Sequence, residues 1–275
     1  MPTDFALADL ARAEEARLAQ GFSEIANESR PFASGIMARA APGSWANAAV
    51  GGGLSGPVSL AQVDELIDFY TSHSIEPRIE LCPFADKSLF QHLATRGFVL
   101  RNFENVLFRE LSPGESFSTP ATPPPGMVIR PIDPANEAEV QLHAETAMRG
   151  FLPDDFVIPD DMLEVSRRCA RHPRICAILV ELDGRTAAAG AIEYHNNVAA
   201  LFGVTVLPFA RRRGIQQAMI AWRLDFAARR GIRWATIGTR PGQATERNTR
   251  RMGFQVAYTK PTMVRPGPGL EPVKE

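Results

Sequence analysis

The chain has 275 residues, of which 45% are hydrophobic and 22% are charged, and its formal net charge at pH 7 is −1. This length and composition predict a soluble globular protein with room for two modest domains. Near-neutral charge argues against nucleic acid or a membrane surface as a partner, and no apolar run reaches the roughly 18 residues that span a bilayer. The N-terminal segment lacks a signal-peptide core, so we expect a cytoplasmic protein.

Cysteine and histidine are sparse and scattered. The three cysteines, Cys82, Cys169 and Cys176, are odd in number and lack the paired spacing of a metal site. We expect them to be reduced, buried thiols. The histidines form no ligand pattern either, so the sequence predicts no metal.

The first half of the chain, residues 1–111, alternates strand and helix patterns. The predicted elements are a strand at Ala48–Gly53, a helix at Ser59–Ser72, a strand at Arg78–Leu81, a helix at Asp86–Thr95 and a strand through Phe108. The first of these helices has Leu60, Val63, Ile67 and Tyr70 at helical spacing, which indicates one buried face.

A proline-rich segment separates the two halves. Residues 112–126, SPGESFSTPATPPPG, hold five prolines and two glycines and show no hydrophobic period. This composition predicts an interdomain linker that is partly extended. The predicted domains are therefore residues 1–111 and residues 127–275.

The second half has the pattern of a complete α/β domain. It is predicted to contain a strand at Met127–Ile132, helices at Asn136–Met148 and Asp160–Arg171, strands at Ile175–Leu182, Thr186–Tyr194 and Val198–Val206, a helix from Gly214 to Gly231, a strand at Trp234–Gly238, a helix at Gln243–Met252 and closing strand segments from Phe254. The pairs Asp183-Gly184 and Asn196-Asn197 suit hairpin turns.

The most informative stretch runs from Gly203 to Gly231. An apolar strand ends before Pro208, three arginines follow, and Gly214 opens an amphipathic helix. Free N–H groups and the positive end of the helix dipole favour an anion at this position, and a glycine lets the anion approach the backbone closely. The helix is predicted to bury Ile215, Ala218, Met219, Trp222 and Phe226, and to turn Gln216, Gln217, Arg223 and Asp225 elsewhere.

This stretch resembles motif A of the GNAT acetyltransferase superfamily. The motif, Gln/Arg-x-x-Gly-x-Gly/Ala, is present as Arg211-x-x-Gly214-x-Gln216, with Gln216 in place of the small residue. The resemblance implies acetyl-CoA as co-substrate, with its pyrophosphate at the arginine loop and its pantetheine arm added to the edge of the preceding strand. The cofactor-binding residues so implied are Val204, Thr205, Val206, Arg211, Arg212, Arg213, Gly214, Ile215, Gln216, Gln217 and Asn248.

A second signature lies near the C-terminus. Residues 245–254, TERNTRRMGF, resemble motif B of the same superfamily, in the form Ser-x-Arg-Asn-x-x-Arg-x-Gly-Phe. The resemblance places Asn248 beside the cofactor; a solvated helix residue is the alternative. Many relatives carry a tyrosine, as general acid, four residues before the glycine of this motif, whereas Thr249 occupies that position here.

The first half repeats the element order of the second. Ser59 precedes Gly97 by 38 positions, Gly214 precedes Gly253 by 39, and each later glycine is followed by phenylalanine. The loop before Ser59 has no arginine, and Pro57 removes a donor. We therefore predict an α/β (α+β) fold of two GNAT-like domains, each a mixed, mostly antiparallel sheet flanked by helices, with a degenerate first copy.

The resemblance implies direct acetyl transfer. A backbone N–H, that of Val204 or Val206, would stabilise the oxyanion. Glu193 is the predicted general base, because it lies on the strand next to the cofactor strand; the alternative is that its side chain points to solvent or pairs with an arginine. Tyr258 is the predicted acid, with a packed tyrosine as the alternative.

The sequence predicts an acetyl-CoA-dependent N-acetyltransferase for a primary amine of a small molecule or peptide. Residues 148–161, MRGFLPDDFVIPDD, combine apolar side chains with carboxylates and would suit a cationic amine; a solvated loop is the alternative. A non-catalytic acyl-CoA sensor or scaffold is the competing function. The oligomeric state is open, with a homodimer as one option.

Overall fold

The computed structural model describes residues 4–150, 152 and 156–273. The chain divides into two compact units, Met1–Val106 with Ala257–Glu275, and Leu107–Val256. The proline-rich residues 112–126 belong to the second unit. The C-terminal segment belongs to the first unit, whereas the sequence-based division placed it in the second domain.

In the residues that the structure describes, the first unit contains a sheet and three helices. Its helices are α1 (Asp4–Ile25), α2 (Leu60–Thr71) and α3 (Lys87–Thr95), and its strands are β1 (Glu28–Phe32), β2 (Gly35–Arg39), β3 (Ala48–Val50), β4 (Arg78–Glu80), the first residues of β5 (Val99–Glu110), and β11 (Gln255–Val264) from Ala257 onward. The strand order is β1-β2-β3-β4-β11-β5. Only β3 and β4 are parallel among the pairings described in this unit.

The predicted face of α2 forms the core of the first unit. Val63, Ile67 and Tyr70 are buried in one apolar cluster with Ile79 of β4. The phenol of Tyr70 donates a hydrogen bond to the carbonyl oxygen of Ala38, which satisfies its buried hydroxyl. The helical spacing therefore predicted three of the four residues of this face correctly, whereas Leu60 is half-buried.

The second unit follows the predicted element order closely. It contains strands β6 (Met127–Pro131), β7 (Ile175–Leu182), β8 (Arg185–His195), β9 (Val198–Val206) and β10 (Trp234–Thr239), and helices α4 (Glu137–Arg149), α5 (Asp160–Arg171), α6 (Ile215–Ala228) and α7 (Ala244–Arg251). The end of β5 adds to the sheet beside β10, and the order continues β9-β8-β7-β6. Of the described pairings, β9–β10 is parallel and the others are antiparallel.

Helices cover both faces of this second sheet. Ala189 and Leu179 pack with Val140 of α4, whereas their strand neighbours Ala188 and Ile178 pack with α6. Because side chains alternate along a strand, α4 and α6 lie on opposite faces. Both units therefore confirm the predicted class, a mixed, mostly antiparallel sheet flanked by helices.

The prediction for the polar face of α6 is wrong in part. Arg223 was expected to point away from the buried stripe, yet it is 0% exposed. It lies four residues after Met219, which is also fully buried, so the two share one side of the helix. Gln217 is buried as well, at 7% exposure.

No helix among the described residues is both long and apolar enough to cross a membrane.

Candidate functional site

The loop between β9 and α6, residues 207–214, has the backbone of an anion cradle. It contains a 3-10 turn at Pro208–Ala210, and Arg212 and Gly214 both adopt left-handed conformations, with φ of 62° and 76°. Gly214 is the N-cap of α6, and no described side chain caps this helix. The first N–H groups of α6 therefore stay available to an external anion.

The corresponding end of α2 in the first unit is closed. The Ser59 hydroxyl accepts from the N–H of Gln62, and the Gln62 side chain accepts from the N–H of Ser59, which forms a capping box. The N–H of Val58 donates to the hydroxyl of Ser88. Side chains of the chain itself thus bind the N–H groups of Ser59 and Gln62, whereas no described side chain caps α6.

The strand before the cradle opens on one side. The parallel pairing of β9 with β10 covers Val198–Ala200 and Trp234–Thr236. Beyond Ala200, β9 continues to Val206 without further β10 partners in the described register. The result is a splayed edge that ends at the anion cradle, where an extended arm of a ligand can add to β9.

A β-bulge lies within the same part of β9. Ala189 of β8 faces Thr205 and Ala191 faces Phe202, so Gly190 is opposed by two residues, Gly203 and Val204. Gly203 has φ of 62°, as in bulges whose first residue is a left-handed glycine. This distortion reorients the backbone of Val204, one of the two predicted oxyanion donors.

The predicted cofactor residues of α6 and α7 are brought together. The side-chain amide of Gln217 donates to Oδ1 of Asn248 at 3.3 Å, and that of Asn248 donates to Oε1 of Gln216 at 2.5 Å. Gln216 also donates to the hydroxyl of Thr245 at 3.1 Å. Oε1 of Gln217 is buried without a partner among the described residues. Asn248 is therefore part of a network that joins the two helices.

The three arginines of the loop are exposed. Arg211 bends back so that its Nε donates to the carbonyl oxygen of Val206 at 3.0 Å. Beside them, a Cβ at Gly214 would lie 3.2 Å from the Cβ of Ala121. The absence of a side chain at Gly214 therefore keeps this crowded part of the loop open.

Thr205 has a structural contact of its own. Its hydroxyl is buried and donates to the carbonyl oxygen of Ala147 at 2.7 Å, near the end of α4. Val204 and Val206, its neighbours, are half-buried. Thr205 thus fixes α4 over the part of β9 that carries the predicted cofactor contacts.

Glu193 lies away from these elements. It faces Ala200 in the β8–β9 register, four residues before Val204, a separation of about 13 Å along the strand. Its carboxylate is buried and forms an ion pair with Arg174 at 3.2 Å. This is the arginine pairing that the sequence left open as the alternative.

Tyr258 belongs to the first unit. Its hydroxyl is buried and donates to Oε1 of Glu15 at 2.9 Å. Burial raises the pKa of Tyr258 well above its ordinary value, so it is a weak proton donor. Glu193 and Tyr258 thus belong to different units, and the catalytic roles of both stay predictions.

Thr249 is buried within α7. It is 0% exposed, and its hydroxyl donates to the carbonyl oxygen of Thr245 at 2.6 Å. A threonine bonded to its own helix supplies no acid in place of the tyrosine of motif B.

The predicted acceptor loop is only partly described. Phe151, Asp154 and Asp155 lie outside the described residues. Asp160 forms an ion pair with Arg167 at 2.9 Å. Arg149 donates across the loop to the carbonyl oxygen of Phe156 at 2.9 Å.

Two buried residues near the bulge were missed in the sequence. His143 of α4 contacts the carbonyl oxygen of Gly190 through Nε2 at 3.1 Å, and Arg223 donates from Nη1 to that of Ala191 at 3.0 Å. The sequence offers a weak signal for each, a polar residue at a spacing that places it on the buried side of its helix.

Residues 145–254 match the model of the acetyltransferase (GNAT) family. The second unit contains a GNAT-family domain. This range includes every residue predicted to bind the cofactor, and Glu193, but not Tyr258. No functionally curated protein matches the sequence.

Solved structures show that the GNAT-like fold extends over both units. A GCN5-related N-acetyltransferase from Kribbella flavida has 19% identity and a TM-score of 0.68, and the match covers 94% of this chain and 95% of that one. A tandem GNAT protein from the clavulanic acid biosynthesis pathway has 13% identity and a TM-score of 0.59, with coverage of 83% and 76%. At these identities the likeness concerns the fold alone.

The described residues contain no group of three His, Cys, Asp or Glu side chains placed to hold a metal ion.

Proposed function

We propose that the GNAT domain transfers an acetyl group from acetyl-CoA to a primary amine of a small molecule or peptide. The observation that carries this proposal is the uncapped start of α6, which directly follows the splayed and bulged part of β9. Acetyl-CoA would supply the thioester and, in its pyrophosphate, the anion that such a helix start favours.

The chain's own groups would bind and orient this co-substrate. The N–H groups at Gly214 and the first turn of α6 would donate to the pyrophosphate, assisted by the charges of the loop arginines. The Gln216–Asn248 network would hold α7 beside the cofactor arm. The N–H of Val204, reoriented by the bulge, would donate to the thioester oxygen as that oxygen gains negative charge.

The cysteines support direct transfer to the amine. Burial raises the pKa of Cys169 to about 12 and also raises that of Cys176, the two cysteines of the second unit. Thiols of this kind offer no thiolate near pH 7, so they are poor nucleophiles. The proposal therefore includes no acyl-enzyme.

The proposal also gives no catalytic role to Glu193, whose carboxylate pairs with Arg174, or to Tyr258, whose hydroxyl donates to Glu15.

We also propose that the first unit does not bind acyl-CoA, because side chains of the chain itself bind the N–H groups of Val58, Ser59 and Gln62 at the start of α2. A cytoplasmic location is proposed as well. All three cysteines are free, as a reducing compartment would keep them.

A non-catalytic acyl-CoA sensor is the second candidate function. It is favoured by Thr249, whose hydroxyl is engaged within its own helix. Both functions require the same cradle, so binding alone does not separate them.

The full chain is expected to bind one acetyl-CoA and to release CoA when an amine is added. Titration calorimetry measures the number of sites, and a thiol reagent measures CoA release across a panel of aliphatic amines, amino sugars and peptide N-termini. Release without amine serves as the blank. Binding without amine-dependent release across the panel would favour the sensor, whereas two equal sites per chain would contradict the proposal for the first unit.

A further inference from the structure

Two buried side chains hold the strand that faces the β9 bulge. Nε2 of His143 lies 3.1 Å from the carbonyl oxygen of Gly190, and Nη1 of Arg223 donates to the carbonyl oxygen of Ala191 at 3.0 Å. His143 comes from α4 and Arg223 from α6, on opposite faces of the sheet. Consecutive peptide groups of β8 are thus bound from both faces at the position where regular pairing with β9 is interrupted.

The bulge itself is within reach of Arg223. A Cβ at Gly190 would lie 3.2 Å from Cγ2 of Val204 and 3.8 Å from Nη1 of Arg223. A glycine at position 190 therefore lets the guanidinium and the Val204 side chain approach the same point of β8. The side chain of Val204 and the guanidinium that binds Ala191 thus both lie within 4 Å of this point.

Arg223 is buried at this position without a compensating charge among the described residues. Its side chain is 0% exposed, and its remaining donor, Nη2, has no acceptor among the described residues. None of the ion pairs among the described residues includes it. Since an uncompensated buried cation destabilises a fold, packing alone gives no reason to prefer arginine over a neutral side chain of similar volume.

His143 is a donor of the same kind. A carbonyl oxygen only accepts, so Nε2 carries the proton, and Nδ1 has no partner in the part of the chain that the structure describes. Burial lowers the pKa of His143, which keeps the imidazole neutral at pH 7.

We infer that Arg223 and His143 are positioning residues that fix the Gly203–Val204 bulge in the conformation that directs the Val204 N–H toward the thioester oxygen. This inference rests on the proposed acetyl transfer. It assigns to the two side chains a contribution to turnover rather than to stability.

The test compares volume-matched variants in the full chain. Arg223→Met is expected to leave the thermal midpoint unchanged or to raise it, and to leave the Kd for acetyl-CoA within about threefold. It is expected to lower kcat about tenfold or more, which is the loss expected when one oriented donor is misplaced. Arg223→Lys, which keeps one donor, should recover part of kcat. Arg229→Met, at the exposed end of the same helix, is the matched control.

A parallel pair tests His143. Glutamine keeps an N–H donor, so His143→Gln should retain more activity than His143→Leu. Hydrogen exchange at residues 203–206 should be faster in Arg223→Met and His143→Leu than in the natural chain, a readout that needs no turnover.

The outcomes separate this inference from the proposed function. If the natural chain neither binds acetyl-CoA nor releases CoA with any amine, the proposed function fails, although the exchange measurement still reports on the bulge. If the natural chain is active and Arg223→Met lowers stability and kcat together, or changes neither kcat nor hydrogen exchange, the positioning role is overturned.

Discussion

Replacing Lys260 with methionine is expected to lower the free energy of unfolding by about 3–5 kcal/mol at about pH 8. Lys260 is 3% exposed, and its Nζ lies 3.1 Å from Oε2 of Glu80 and 3.4 Å from Oε1 of Glu15. Removal of the ammonium leaves these carboxylates without their shared cation. Glu15 is affected most, because it is fully buried and its Oε2 has no partner among the described residues.

The decrease in the free energy of unfolding caused by Lys260→Met should be smaller at lower pH. Burial raises the pKa of Glu15 above its ordinary value of 4.5 and that of the nearby Glu104 to about 7. The folded state then binds protons that the unfolded state has released, so the contribution of these groups to stability decreases as pH rises through this window. Without Lys260 more protons are taken up, and the deficit should be smaller at about pH 5.5 than at about pH 8.

Urea unfolding at both pH values measures this effect. Lys87→Met, the same substitution at an exposed lysine, is the matched control and should change stability by less than about 0.5 kcal/mol. Adding Glu15→Gln to Lys260→Met should recover part of the loss, because it removes the buried carboxylate that has lost its cation. A deficit below about 1 kcal/mol at pH 8, or one that grows as the pH falls, would contradict the assigned charge balance.

Replacing Gly214 with alanine should weaken acetyl-CoA binding about tenfold or more, equivalent to about 1.4 kcal/mol. A methyl group at this position would lie 3.2 Å from the Cβ of Ala121, at a residue with φ of 76°. It would distort the loop whose N–H groups are proposed to bind the pyrophosphate.

A glycine variant at the other end of the same helix serves as the control for backbone strain alone. Gly231 has φ of 68°, and a Cβ added there would meet no atom within 4 Å. Gly231→Ala therefore carries the left-handed strain, about 1–2 kcal/mol, without crowding the cradle. Calorimetric titration of both variants should show weaker binding for Gly214→Ala only. Equal losses would mean that global destabilisation, not the cradle, explains the effect.

Strands with a strong local pattern were predicted well. Ile175–Leu182 and Val198–Val206 have the predicted bounds, because apolar β-branched runs end at turn residues with clear conformational preferences. Asp183 and Gly184 both adopt positive φ, at 52° and 75°, as a type I′ hairpin requires.

The start of the chain was not predicted. Strand β1 contains Pro31, which argues against a strand interior, and its position at the end of the sheet order explains why a proline is tolerated there. Strand β2 begins at a glycine and is only five residues long. Such segments become strands through pairing, which local pattern does not encode.

The sequence predicted a cofactor-binding loop before α6, which stays a prediction, but it did not predict the buried side chains around that loop. Motif spacing singled out Gly214 and Asn248, because both belong to family signatures, but it did not predict the hydrogen bonds that join α6 to α7. Alternation placed Glu193 on a strand next to β9, but strand register decides which end of β9 it faces. The burial of Arg223 could not be predicted from its charge, and its spacing four residues after Met219 is the weak signal for it in the sequence.

Thermal unfolding with and without acetyl-CoA tests the central claim most directly. Binding at 100 times the Kd stabilises the folded state by about 2.7 kcal/mol, so the midpoint of the natural chain should rise. The shift should vanish in Arg211→Glu/Arg213→Glu, which reverses charge at the cradle, and persist in Arg229→Glu/Arg233→Glu, which reverses charge at the far end of α6. No shift in the natural chain at millimolar acetyl-CoA, or an equal shift in the cradle variant, would contradict the account.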